Sequence, residues 1–257
     1  MTASHTHAVR SEPGLTLAES GTGRPVLLLH GGGGPDTVTG LAAHLARTAH
    51  VVTPTHPGWN GTPRPDRFTG VDDLALAYLH LLHDRGLRDV LVVGSSLGGW
   101  IAAEMAVRDQ AGLLGRLVLI DAVGVAVEGE PIRDFFALDA RGVAEYAYHD
   151  SERFYVDPAE VPAAQLARRK ADMAALRTVA GDPYMHDPKL LGRLGRVRIP
   201  ALVLWGESDR IVTPGYGAAY AAAFGDGRFQ SVAEAGHLPH IEQPEATFAL
   251  IDAFLGE

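Results

Sequence analysis

Val90-Leu91-Val92-Val93-Gly94-Ser95-Ser96-Leu97-Gly98-Gly99 runs from an apolar segment into a glycine-bracketed serine and on into a helical pattern over residues 97–109. Four Val and Leu residues closed by glycine read as a strand buried on both faces. A serine at the tip of so sharp a strand-to-helix turn takes strained backbone geometry, and side chains two positions to either side would collide. Glycine at both flanks removes the clash. Only Ser96 has glycine at −2 and +2, so Ser96 and not Ser95 is the candidate nucleophile. The G-x-S-x-G spacing stands in the strand–turn–helix context that gives it meaning. Leu97 then opens the helix, with its N–H free to face a reacting oxygen. The plain alternative is a Gly/Ser-rich turn without chemistry.

Outward from this turn the chain repeats the same rhythm. Candidate strands cover residues 15–18, 26–29, 50–53, 90–93, 117–120, 201–205 and 228–231, and candidate helices 38–48, 71–84, 97–109, 215–223 and 243–254. Alternation of this kind predicts an α/β fold, a doubly wound and mostly parallel sheet with helices on both faces. Function in such sheets collects at the carboxyl ends of the strands. The rhythm breaks between Gly124 and Val197, where helical periodicity and scattered prolines occur without a convincing strand. The expected organisation is a core from 1–123 and 197–257 with a helical lid insertion at 124–196; a long crossover packed on the sheet is the alternative.

Three further motifs follow predicted strands. His30-Gly31-Gly32-Gly33-Gly34-Pro35 suits close approach of backbone to a ligand. An N–H from this loop, Gly32 first and Gly33 second, would join that of Leu97 in an oxyanion hole. The run lacks the Gly-Lys-Ser/Thr of a phosphate loop. Gly236-His237-Leu238-Pro239-His240 follows the last strand, and His237, directly after glycine, is the candidate general base; His240 is expected to cap or pack. His80 and His83 share a helix face and read as solvated, and His5 and His7 belong to the tail. Trp205-Gly206-Glu207-Ser208-Asp209 supplies the acid that would orient the histidine. Asp209 is preferred, with Glu207 and then Asp121 as alternatives. The order Ser96, Asp209, His237 is the order of α/β-hydrolase triads.

Composition narrows the classes. In 257 residues, 22 Lys and Arg stand against 31 Asp and Glu, a formal charge of −9, which offers no electrostatic grip on nucleic acid or anionic membrane. With no cysteine, thiolate nucleophiles and Cys-ligated zinc are excluded. Apolar runs are strand-sized, and residues 1–12 lack an apolar leader core, so a cytoplasmic protein, monomer or homodimer, acting on a small molecule is the expectation.

Together these motifs, with His56-Pro57-Gly58-Trp59-Asn60-Gly61, make the chain resemble the α/β-hydrolase superfamily over essentially its whole length. The resemblance implies an eight-stranded sheet, a lid after the sixth strand, and the Ser96–Asp209–His237 roles. One departure is His56, where many relatives carry Asp. A serine nucleophile disfavours the haloalkane dehalogenase and epoxide hydrolase branches. The expected reaction is hydrolysis of small to medium, mainly apolar carboxylic esters or lactones, without metal or cofactor. Cleavage of carbon–carbon bonds in diketones and a triad-retaining ligand receptor are the alternatives. Candidate substrate-binding residues are Gly33, Trp59, Phe135, Phe136, Tyr148 and Leu238. The other lid aromatics and methionines (Tyr146, Phe154, Tyr155, Met173, Tyr184, Met185) either line an apolar pocket or pack the lid onto the core.

Overall fold

The computed structural model describes residues 15–256; the leader reading of residues 1–12 and the tail histidines His5 and His7 lie outside them. In chain order the elements are β1 (Thr16–Ser20), β2 (Arg24–Leu29), α1 (Thr39–Leu45), β3 (Ala49–Thr55), α2 (Val71–Asp84), β4 (Val90–Ser95), α3 (Leu97–Arg108) and β5 (Leu114–Ile120). They continue with α4 (Ala140–Ala147), α5 (Ser151–Phe154), α6 (Ala163–Ala180), β6 (Ala201–Gly206), α7 (Pro214–Ala223), β7 (Gly227–Val232), α8 (Pro239–Glu242) and α9 (Pro244–Leu255). The seven strands read from the apolar pattern are the seven found. Among the described residues the sheet therefore has seven strands, not the eight implied by family resemblance.

The strand order is β1-β3-β2-β4-β5-β6-β7, with only the β1–β3 pair antiparallel. Both faces of the sheet are covered, as parallel strands require. Along β2, Leu27 and Leu29 join one core while Val26 and Leu28 join the other; along β5, Leu117 and Leu119 alternate with Val118 and Ile120 in the same way. Leu74, Tyr78 and Ile101 from α2 and α3, with Tyr216 from α7, fill the first core. Leu41, Leu45, Ile251 and Phe254 from α1 and α9 fill the second. The alternation of two apolar faces explains why these strands read as continuous apolar runs.

The helix expected at 243–254 is preceded by the single turn α8 and broken at Gln243, which has φ −131 and ψ 63. Pro244 is the cause, because its ring excludes the helical conformation from the residue before it. Between β5 and β6 the chain is helical as expected, with α4, α5, α6 and short 3-10 turns. The only strand-type pairing there is an isolated bridge between Gly124 and His186. No helix among the described residues is long and apolar enough to cross a membrane.

The topology fixes where chemistry can occur. The chain leaves β2 toward β3 on one side and returns across β2 to β4 on the other, so β2 and β4 flank the switch point. Leu29 pairs with Gly94, Ser95 with Ile120, Ile120 with Leu204 and Gly206 with Val232. The loops that follow β2, β4, β5, β6 and β7 consequently leave one edge of the sheet together. Leu119 is fully buried in the first core. Leu119→Ala is expected to lower the unfolding free energy by about 2–5 kcal/mol in urea denaturation, and a loss below about 1 kcal/mol would contradict this packing.

Candidate active site

Ser96 sits between β4 and α3 with φ 53 and ψ −114, a backbone conformation uncommon for a residue with a side chain. The flanking glycines are required by contact. A Cβ on Gly94 would come within 2.2 Å of the Gly98 carbonyl oxygen, and one on Gly98 within 2.2 Å of the Leu29 carbonyl oxygen. Ser95 is buried and its Oγ has no hydrogen-bond partner, whereas Ser96 Oγ lies 2.9 Å from His237 Nε2. His237 Nδ1 lies 2.7 Å from Asp209 Oδ2. This arrangement assigns the tautomer: Nδ1–H donates to the carboxylate, leaving Nε2 to accept from the serine hydroxyl.

Asp209 is fixed by its own turn. Its Oδ1 accepts from Ile211 N at 2.8 Å and Val212 N at 3.2 Å, so both oxygens of the carboxylate are engaged. The His237 loop is held equally firmly. His237 N donates to Ala147 O, at the end of α4, at 2.6 Å. A Cβ on Gly236 would strike that same carbonyl at 2.2 Å. Glu242, from α8, accepts from Gly236 N at 2.5 Å and from His149 N at 2.9 Å, tying the loop to the segment after α4. Glu242 was not singled out in the sequence; an acid one turn beyond His237 is an unremarkable surface residue until the fold buries it. Glu207 is exposed and bonded to Ser231, away from the histidine. Asp121 is close by, with its Oδ1 accepting from Gly206 N at 2.9 Å.

The glycine loop after β2 lies beside Ser96. A Cβ on Gly31 would be 3.2 Å from Ser96 Cβ, and one on Gly32 would be 2.7 Å from Leu176 Cδ2 of α6. The Gly32 carbonyl accepts from Trp59 Nε1 at 2.9 Å. Trp59 was expected to touch substrate, but it is fully buried and its one donor is engaged in holding this loop. An unbroken chain of hydrogen bonds continues beneath. His56 N donates to His30 Nε2 at 3.0 Å, and His30 Nδ1 donates to Gly31 O at 2.7 Å. His56 Nε2 donates to His30 O at 2.9 Å, and its Nδ1 accepts from Tyr78 Oη at 2.6 Å. Because its Nε2 accepts from His56 N, His30 must be neutral, whereas the Tyr78 hydroxyl could meet His56 Nδ1 in either role. Burial enforces the same state, pushing His30 down to about 4 and His56 well below its ordinary value. His56 therefore stands as a neutral donor–acceptor beneath the glycine loop. Tyr78 escaped sequence reasoning, and His30 was read only as the head of the glycine run, because nothing in their spacing links them.

Other candidates fall out as follows. Phe135 and Phe136 are half-buried and cluster with Tyr184, ring centroids 4.7 and 5.6 Å apart along the series, with Arg177 over Phe136. Tyr148 stacks on Phe154. Leu238 is half-buried beside His237, and Gly33 is exposed. His240 packs as expected, buried with Nε2 3.2 Å from Thr37 O, and burial pushes it down to about 4. His80 and His83 are exposed.

With this geometry in place, comparison with known proteins is direct. The sequence pattern of the Alpha/beta hydrolase family matches residues 26–250, and the chain belongs to that family. It is 30% identical to a pimeloyl-[acyl-carrier protein] methyl ester esterase of Aromatoleum aromaticum, covering 88% of this chain and 96% of the relative. It is 27% identical to a 2-hydroxy-6-oxo-6-(2'-aminophenyl)hexa-2,4-dienoic acid hydrolase of Metapseudomonas resinovorans, covering 88% and 82%. Among solved structures, a thermophilic esterase from Thermogutta terrifontis superposes with a TM-score of 0.74 at 23% identity, covering 96% of each chain. The protein is a hydrolase of the α/β-hydrolase family.

Neutral buried histidines make stability depend on pH with a definite sign. His30 and His240 have folded values near 4 against 6.5 when unfolded, so the unfolded chain binds more protons between these limits. Stability is complete above the unfolded value and is lost as pH falls through it toward about 4, on the order of 3 kcal/mol for each histidine. Urea unfolding midpoints should fall over that window, and His240→Gln should flatten part of the dependence. An unchanged midpoint across the window would show that these histidines are not buried and neutral.

Proposed function

We propose that the protein is a serine esterase acting on small to medium, mainly apolar carboxylic esters or lactones through an acyl-enzyme on Ser96. The observation that carries this reading is the continuous line from Ser96 Oγ through His237 to Asp209, with links of 2.9 and 2.7 Å. Ser96 Oγ attacks the carbonyl carbon while His237 Nε2 takes its proton; Asp209 holds the imidazole and stabilises the imidazolium. The oxyanion forms against the N–H groups of Gly32 and Leu97, the latter at the start of α3. His237 then protonates the departing alkoxide. Water, deprotonated by the same nitrogen, releases the acid and restores Ser96. The similarity to an esterase at 30% identity supports ester chemistry.

In this reading residues 124–196 serve as a lid. The support is contact: Leu176 of α6 lies over Gly32, and Asp172 of α6 accepts from Asn60 N at 2.8 Å, so α6 closes on both loops beside Ser96. Ser96 itself is only 8% exposed, so substrate entry requires this segment to move. Half-buried Phe135, Phe136, Tyr148 and Leu238 are the apolar side chains offered to the acyl or alcohol portion, and Gly33 borders it. No metal or cofactor has a part in these steps. A second reading, carbon–carbon bond hydrolysis of a vinylogous diketone, is favoured by the similarity to the dienoic acid hydrolase.

Rapid-mixing hydrolysis of p-nitrophenyl esters tests the proposal. Wild-type protein should give a burst followed by steady release, Ser96→Ala should lower kcat by roughly 10⁴–10⁶-fold without loss of fold, and Asp209→Asn by about 10⁴-fold. Ester turnover undiminished in Ser96→Ala overturns it. Cleavage of a vinylogous 1,5-diketone far faster than any ester moves the assignment to the second reading.

A further inference from the structure

Asp121 is a second carboxyl group in the acid–histidine pair that the proposed reaction does not use. It follows β5 directly, is fully buried, and has φ 44, in the left-handed region where Asp and Asn are tolerated best among residues with side chains. Its neighbours fix it: Asp121 N donates to Leu204 O at 3.0 Å, and Oδ1 accepts from Gly206 N at 2.9 Å. Oδ2 is buried and receives no donor. One oxygen from Asp121, one from Asp209 and a ring nitrogen of His237 lie within 4.8 Å of one another.

Two buried carboxylates at such range cannot both hold full charge, so one proton is shared out between them according to which anion is better solvated. Asp209 receives three donors, Ile211 N, Val212 N and His237 Nδ1–H. Asp121 receives one. The charge therefore belongs on Asp209 and the proton on Asp121, where the orphaned Oδ2 becomes a donor in need of an acceptor. The charged and titratable groups facing Asp121 are Asp209 and His237 from their loops and Glu242 from α8; both acids disfavour a second anion. Burial, followed by the Asp209 charge, pushes the Asp121 carboxyl well above the usual carboxylate range.

We propose that Asp121 is a protonated positioning residue whose Oδ2–H donates to Asp209, holding the Asp209 carboxylate in line with His237 and moderating the charge that the histidine senses. A carboxylic acid kept neutral by its surroundings so that it can donate has precedent as a catalytic device. The role rests on the esterase reading for its effect on turnover, but the protonation state is a property of the fold and can be measured without turnover. Asn at this position suits the same backbone conformation and keeps a donor. Gly suits it and removes the donor.

The first measurement is difference infrared spectroscopy of Ser96→Ala protein against the Ser96→Ala/Asp121→Asn double variant near neutral pH. A protonated-carboxyl C=O band lost with Asp121 supports the proposal; its absence overturns it, whatever the protein hydrolyses. The second is the pH profile of ester kcat/KM in the Ser96 protein. Asp121→Asn should stay within about threefold of wild type and leave the acidic limb in place, because no charge is removed. Asp121→Gly should lower kcat by roughly tenfold at unchanged KM and move the limb to higher pH, since an Asp209 without its donor holds the imidazolium more strongly. A limb that moves to lower pH in Asp121→Asn means that an anion was lost, and the proposal fails. A band present in protein that turns over no ester would uphold Asp121 while overturning the esterase reading.

Discussion

Two strands and a helix meet at distances that only glycine permits, and the rest of the site depends on that contact. Gly98, in the first turn of α3, lies against the carbonyl of Leu29 at the end of β2, and Gly94, near the end of β4, lies against Gly98 itself. Removing both side chains lets α3 begin immediately beyond the strand, so the turn between them is short and Ser96 takes a strained conformation at its tip. Because β2 and β4 are neighbours in the sheet, the glycine loop that follows Leu29 emerges against the same serine. Ser96 and the glycine loop are thus placed by one packing constraint rather than by two.

Around this contact, the buried polar groups are ordered by the need to find partners in a medium without water. The glycine loop is carried by a hydrogen-bonded histidine pair and a tyrosine, and burial keeps both histidines neutral. The acid of the pair is solvated by backbone N–H groups of its own turn, while the histidine loop is held by the end of α4 and by Glu242. The helical segment between β5 and β6 therefore does more than cover the sheet: it contributes the Ala147 carbonyl that fixes His237 and the Leu176 side chain over Gly32.

Much of this was legible in the chain. The apolar runs of β2, β4, β5 and β6 are continuous because both faces of the sheet are covered, and strands of that kind announce themselves. Gly94, Ser96 and Gly98 could be read because steric exclusion acts over two residues, well within a local motif. The loops carrying His237 and Asp209 were picked out by their order and position after strands, with Glu207 and Asp121 left as alternatives for the acid. The roles of Glu242, Tyr78 and His30 were not, since each acquires its role from a partner far along the chain: His149 for Glu242, and His56 for the other two. Trp59 likewise has a partner that its position in the sequence does not show. An aromatic residue in a loop near the site suggests contact with a ligand, but the chain folds it inward onto Gly32.

The sequence by itself determined the alternation of strands and helices, the turn that exposes a serine, and the loops able to carry an acid and a base, because steric and apolar patterns are local. It could not determine which acid faces the histidine, or that Asp121 lies beside Asp209, because 88 positions of sequence separate them. Parallel pairing of β5 with β6 brings the two loops to the same edge. Only there do burial and competing donors decide which carboxyl keeps its proton, since the energy of a charge depends on every dipole around it and not on its neighbours in sequence.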